Sequence, residues 1–244
     1  QGVSSAASDV YKRQHFMGRG LVEPVDDLRA TNPPSNPELL DGLARALIQS
    51  KYDLEEMIKL ITGSRTYQLS SEPNQTNELD ERNYSRAFLR RLPAEVLLDA
   101  VSQVTGVEEK FHGVPSGTRA IELWDSQVQH YFLKLFGRPA RASVCECERA
   151  VGASMAQALH LMNSPQLESK LNHAGGQVAQ LTRRHKDDVV LAEQLFLTVF
   201  NRMPSKMEQE RVVQHLGSRR FHRQKAAEDL VWAMMNSMEF IFNH

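Results

Sequence analysis

Cys145 and Cys147, in the string Cys145-Glu146-Cys147-Glu148-Arg149, are the residues of this chain best suited to metal or redox chemistry. Residues two apart on a helix point away from each other, so both thiols serve one site only on an extended or turned backbone. There they would form a soft half-site that needs further ligands to close a tetrahedron. A second cysteine pair at metal-binding spacing does not occur in the sequence. The alternative is a disulfide or a buried pair, because cysteine packs as a small apolar residue. The histidines are scattered, with neither an i, i+4 pair nor an HExxH string, and no C-x-x-C-H haem attachment occurs. The sequence therefore implies no cofactor held by this chain alone.

Carboxylates supply two further constellations. Glu95 and Asp99 lie at i, i+4 just after Arg90 and Arg91. On a helix they share a face, where proximity would raise one pKa and suit an acid/base pair, while the arginines would make an ion network instead. Asp26, Asp27, Arg29 and Asn32 sit in a turn-rich stretch, with Arg65 and Tyr67 after a later helix. Polar side chains gathered on irregular segments form binding sites or cap helix ends. Serine-hydrolase elbows, phosphate-binding loops and dinucleotide glycine patterns are missing from the sequence.

The elements that must position these residues are helical. Asn36-Pro37 signals an N-cap with proline at the first helical position, opening a helix to about residue 50. Leu54, Met57, Ile58 and Ile61 mark a second helix that Gly63 ends, and helical spacing resumes over 82–92. After Pro93, Ala94, Leu97, Leu98, Val101 and Val104 trace one helical face as far as Gly106. Residues 107–150 are the least regular, broken by glycines and prolines, and could hold a small strand pair. Met155, Leu159 and Met162 share a face, and Ser164-Pro165 starts another helix. Gly175-Gly176 breaks the run, 187–200 is helical, and Ser205 with Glu208 forms a capping box. A last long helix carries Ala227, Leu230, Val231, Met234, Met238 and Ile241 as one stripe. The class is all-α, a multi-helix globular domain with an irregular segment near 107–150.

The totals agree with a folded chain. At 244 residues, 41% apolar and 24% charged, a sizeable core is affordable, as one large domain or two small ones. Lys plus Arg (29) against Asp plus Glu (30) leaves no bulk charge to attract nucleic acid. The longest apolar stretch, 189–200, contains Glu193 and Gln194 and falls short of the roughly 20 residues a bilayer span needs. Residues 1–14 read as translated sequencing-adapter sequence, expected to be disordered, and an opening Gln1 implies that the natural N-terminus is missing. Residues 15–244 are expected to form a single helical domain, or two lobes, 15–106 and 151–244, joined by 107–150.

Five ordered strings carry a resemblance: GLVEPVDDLRATNPPSNPELLD, SRTYQLSS, RRLPAEVLLDAV, VCECERAVGASMAQALHLMNS and NSMEFIFNH. Together they resemble the planctomycete cytochrome-associated C-terminal domain of unknown function, the PSD-one family, over about residues 15–244. Asn36 stands where that family often has histidine, and Gly42 where an aromatic is common. The resemblance implies an exported bacterial multidomain protein in the periplasm or at the cell surface. Upstream domains of the same polypeptide are the implied partners, and a c-type haem would belong to one of them. An accessory or interaction role follows; the alternative is part of an extracytoplasmic enzyme or redox protein whose site is shared with those domains.

Overall fold

The computed structural model describes residues 16–22, 29–80, 82–124, 128–139, 155–218 and 222–243. The chain forms two compact units, one reaching to Arg90 and one spanning 91–243. Among the described residues the architecture is helical apart from one pair of two-residue strands.

In the first unit, α1 (Pro37–Gln49) starts where Asn36 turns extended and its side-chain oxygen accepts the Leu39 N–H at 2.9 Å. Lys51 and Tyr52 take left-handed backbone angles that turn the chain into α2 (Leu54–Thr62). The carboxylate of Asp53 accepts the N–H groups of Glu55 and Glu56 there. Leu43 and Leu47 of α1 pack with Met57 and Ile61 of α2, and with Met17, Leu21 and Tyr84. The Tyr84 hydroxyl, buried in that cluster, donates to the Gly20 carbonyl at 2.6 Å.

Residues 82–92, expected to be helical, are not. The Asp80 carboxylate accepts N–H groups from Arg82, Asn83 and Ser85, which folds the segment into a side-chain-held turn. Tyr84 sits at φ 55°, which no helix tolerates. The chain leaves this turn extended, ending in β1 (Arg90–Arg91).

The second unit is built around α3 (Ala94–Thr105), opened by Pro93 and closed by Gly106 as expected. A 3-10 turn (Ala120–Glu122) and α4 (Tyr131–Leu135) follow. Then come α5 (Met155–Asn163), α6 (Pro165–Leu171), α7 (Gln177–Arg184), α8 (Asp188–Phe200), α9 (Lys206–Leu216) and α10 (Arg223–Met235). The short α11 (Met238–Ile241) leads into β2 (Phe242–Asn243), which pairs with β1. Leu97, Leu98 and Val101 of α3, Leu133 of α4, Phe136 and Leu191 and Leu195 of α8 are almost wholly enclosed in one core. Ser164 caps α6, and Ser205 with Glu208 forms the expected capping box on α9.

Among the described residues one strand pair is present, and it joins residues 90–91 to 242–243. The described part of 107–150 forms turns at Gly113, Gly117 and Gly137, all at positive φ, and closes its apolar run as the helical turn α4. The final stripe is not one helix. α10 ends at Asn236, and Ser237 turns extended to cap α11 as a new start, accepting the Phe240 N–H.

Gly106 joins these helices closely. It sits at φ +67, and a Cβ there would lie 3.0 Å from the Gln177 backbone nitrogen at the start of α7. Gly113 has a similar φ of +73 with nothing within 4 Å. Gly113→Ala should therefore cost about 1 kcal/mol, the backbone penalty alone, and Gly106→Ala roughly 2–3 kcal/mol because α7 must also shift. Urea denaturation of the two variants measures the gap, and equal losses would show that the α3–α7 approach is not tight.

Candidate functional site

Of the binding residues singled out by sequence, Arg29, Asn32, Arg65 and Tyr67 lie among the described residues. Cys145, Cys147, Asp26 and Asp27 lie outside the described residues. Arg29 is exposed and Asn32 half-buried in a turn where the Asn32 N–H donates to the Arg29 carbonyl at 2.9 Å. Arg65 is exposed in the turn after α2. Tyr67 is half-buried, its N–H held by Ser64 and its ring meeting the edge of Phe16 at 6.4 Å.

The expected network of Glu95 and Asp99 with Arg90 and Arg91 is divided in the structure. Glu95, 5% exposed at its side chain, faces the equally buried Arg138 at 3.7 Å. Asp99 instead accepts the N–H groups of Ala120 and Ile121 at 2.7 and 3.0 Å, and so fixes the 3-10 turn. Arg91 donates to the Gln157 side-chain oxygen and to the Phe136 carbonyl, and its guanidinium covers the Phe136 ring. Among the described residues the two carboxylates meet different partners on different elements.

A polar cluster that the sequence did not mark lies beside α3. Glu109, in the loop after α3, reaches Lys170 of α6 at 3.3 Å and His130, the residue before α4, at 3.7 Å. The Lys170 ammonium is nearly buried and also donates to the Val107 carbonyl at 2.7 Å. His130 stacks edge-on with Phe111, and its Nδ1 is buried with no hydrogen-bond partner among the described residues. Burial pushes the Glu109 carboxyl up, but the adjacent His130 ring, the Lys170 charge and the Lys110 N–H outweigh it and hold the group at about 2. An imidazole beside a carboxylate and an ammonium is the composition of an acid–base site. Here it also ties the loop after α3 to α6. Each member stands alone in sequence, so no spacing could have revealed the set.

Apolar side chains stand open along α5. This helix buries only Gln157 and Leu161. Met155 is 77% exposed, and Leu159 and Met162 are each 51% exposed. The three positions fall at i, i+4 and i+7, one stripe along the helix. Tyr131, 65% exposed, extends the surface, because its ring packs against His160 of α5 at 5.2 Å. His160 also meets the edges of the Phe132 and Phe136 rings, which seat α5 on α4.

The sequence matches the PSD1 family, described as a protein of unknown function (DUF1553), over residues 13–216, and the chain belongs to that family. No curated protein and no solved structure matches the chain. Among the described residues no group of three or more His, Cys, Asp or Glu is placed to hold a metal ion. No helix among them is long and apolar enough to cross a membrane.

The charge arrangement around Glu109 sets a pH dependence. Its folded pKa lies below the ordinary 4.5, so the folded state binds fewer protons than the unfolded one. The stabilisation is complete above about pH 4.5 and is lost as pH falls toward about 2. Glu208, bonded by Arg202 and held at about 2, loses its share over the same window. Glu109→Gln should therefore flatten, without abolishing, the fall in urea stability between pH 4.5 and pH 2.5. An unchanged slope would remove Glu109 from the account.

Proposed function

We propose that this chain is an accessory interaction module of an exported bacterial multidomain protein, and that it docks against the protein's own upstream domains. The observation that carries this reading is the α5 face of Met155, Leu159 and Met162, continued by Tyr131. Side chains of this size left open in a row form surfaces that partners cover. Methionines suit such a surface because their flexible thioethers fill irregular contacts. The upstream domains are the occupant because the resemblance read from the sequence places this domain after others in one polypeptide. A c-type haem, where the protein carries one, would belong to those domains.

A second reading makes the chain part of an extracytoplasmic enzyme or redox protein whose site is completed by the same domains. Glu109, His130 and Lys170 are the groups that favour it. In that case Glu109→Gln would abolish a reaction of the intact protein while leaving its assembly unchanged.

The docking surface is tested with the double variant Met155→Glu, Leu159→Glu. Exposed substitutions of this kind change stability by no more than roughly 0.5 kcal/mol each, so the variant should fold normally. Its affinity for the separately produced upstream region, measured by calorimetry, should fall at least about tenfold, the loss typical of interface hot spots. Unchanged affinity would overturn the reading. So would sedimentation equilibrium showing that the same face instead joins two copies of this chain, or a gene that encodes no upstream domain.

A further inference from the structure

The seat of α5 is built around one imidazole. His160 is half-buried, with its ring 5.2 Å from Tyr131, 5.7 Å from Phe132 and 6.4 Å from Phe136. These rings belong to α4 and its C-cap, and each meets His160 at a steep angle of 61–65°. Besides this contact the helix buries only Gln157 and Leu161. Gln157 donates to the Leu135 carbonyl at 3.0 Å and accepts from Arg91. The nest around His160 is thus a large part of what holds α5 in place.

That nest suits a neutral ring. Phe132 and Phe136 stack at 4.2 Å and cover one face of each other. The Arg91 guanidinium lies over the Phe136 ring at 5.7 Å, so both faces of that ring are engaged. His160 therefore meets the rim of Phe136, where an aromatic ring carries positive partial charge. The charged and titratable groups on this side are Arg91 by way of Phe136, His130 and the Tyr131 phenol, while Lys134 of α4 is exposed. Glu109 is engaged by His130 and Lys170, and among the described residues no carboxylate pairs with His160. An imidazolium here would give up water without gaining an opposite charge. Burial, and after it the His130 ring, hold the His160 pKa below the ordinary 6.5. The seated ring binds fewer protons than a ring released to water. The seat is therefore at full strength above about pH 6.5 and weakens as pH falls below it.

We propose that α5 is a proton-sensitive element: neutral His160 seats the helix on α4, and its protonation unseats the helix together with the face of Met155, Leu159 and Met162. The device acts on the docking surface proposed above and rests on that reading for its purpose. It presents an ordered apolar face at neutral pH and withdraws it in mild acid. Histidine is the side chain that such a device needs, because its charge changes within that range.

The test is amide hydrogen exchange of the full chain at about pH 7.5 and about pH 5.5, corrected for the intrinsic change in exchange rate. Protection of the α5 amides should fall several-fold at the lower pH, with a ceiling of about tenfold set by one pH unit below the ordinary histidine value. Protection of α8, in the core, should change by less. Glu109, held at about 2, keeps its charge throughout this window and does not contribute. His160→Phe keeps a ring in the nest and takes no proton, so its α5 protection should be the same at both pH values. In the parent, the His160 ring followed by NMR should titrate with a midpoint below 6.5. Equal α5 protection in the parent at the two pH values, or the same loss in His160→Phe, would overturn the proposal. A His160 midpoint at or above 6.5 would overturn it too. No upstream region is needed for these measurements, so their failure is distinct from a failure of the docking reading.

Discussion

The second unit depends on the enclosure of α3. Ala94, Leu97 and Val101 are wholly buried and Leu98 nearly so, which supplies the apolar contacts that hold the surrounding helices. Enclosure on that scale also obliges every polar group on the helix to find a partner inside the protein. Glu95 is answered by Arg138, whose guanidinium also reaches the Leu123 carbonyl at 3.2 Å. Asp99 is answered by two backbone N–H groups, and the 3-10 turn takes its shape from them. Thr105 turns its hydroxyl back to the Val101 carbonyl, while Lys170 arrives from α6 to take the Val107 carbonyl beyond the helix end. The irregular chain between α3 and α4 is thus held by the polar demands of a buried helix.

The C-terminal helices solve the same problem at their ends with arginine. Arg223 donates to Asp188 and to the carbonyls of Thr182 and His185, so one side chain serves both the end of α7 and the start of α8. Arg202 sits between Glu208 and Glu239 and over the Phe196 and Phe200 rings, joining α8 to α9 and α11. These forks leave little freedom around the core. α5 stands in contrast. It is seated by Gln157, Leu161 and the ring of His160, and the rest of its apolar side chains point outward.

The helices were legible where local rules act alone. Asn36-Pro37, Asp53, Pro93 with Gly106, and the Ser205–Glu208 box each place a side chain or ring within three residues of the backbone it terminates. Residues 82–92 misled because Asp80, just upstream, captures the N–H groups that a helix would have used. The final stripe misled because Met238 and Ile241 keep helical spacing across Ser237, although the hydroxyl there restarts the helix. Apolar spacing on α5 was visible, but whether a stripe faces a core or solvent is decided by tertiary neighbours. The Glu109–His130–Lys170 cluster was out of reach for the same reason, being made by residues far apart in sequence.

On the proposed role, the α5 face is covered in the intact gene product. Hydroxyl-radical footprinting reads it directly, because Met155 and Met162 are among the most oxidisable groups on that surface and are open in this chain. The account predicts that both methionines oxidise several-fold more slowly in the intact protein than in this chain alone, while exposed Met207 of α9 reacts equally in the two. Equal oxidation of Met155 and Met162 in both forms would contradict it.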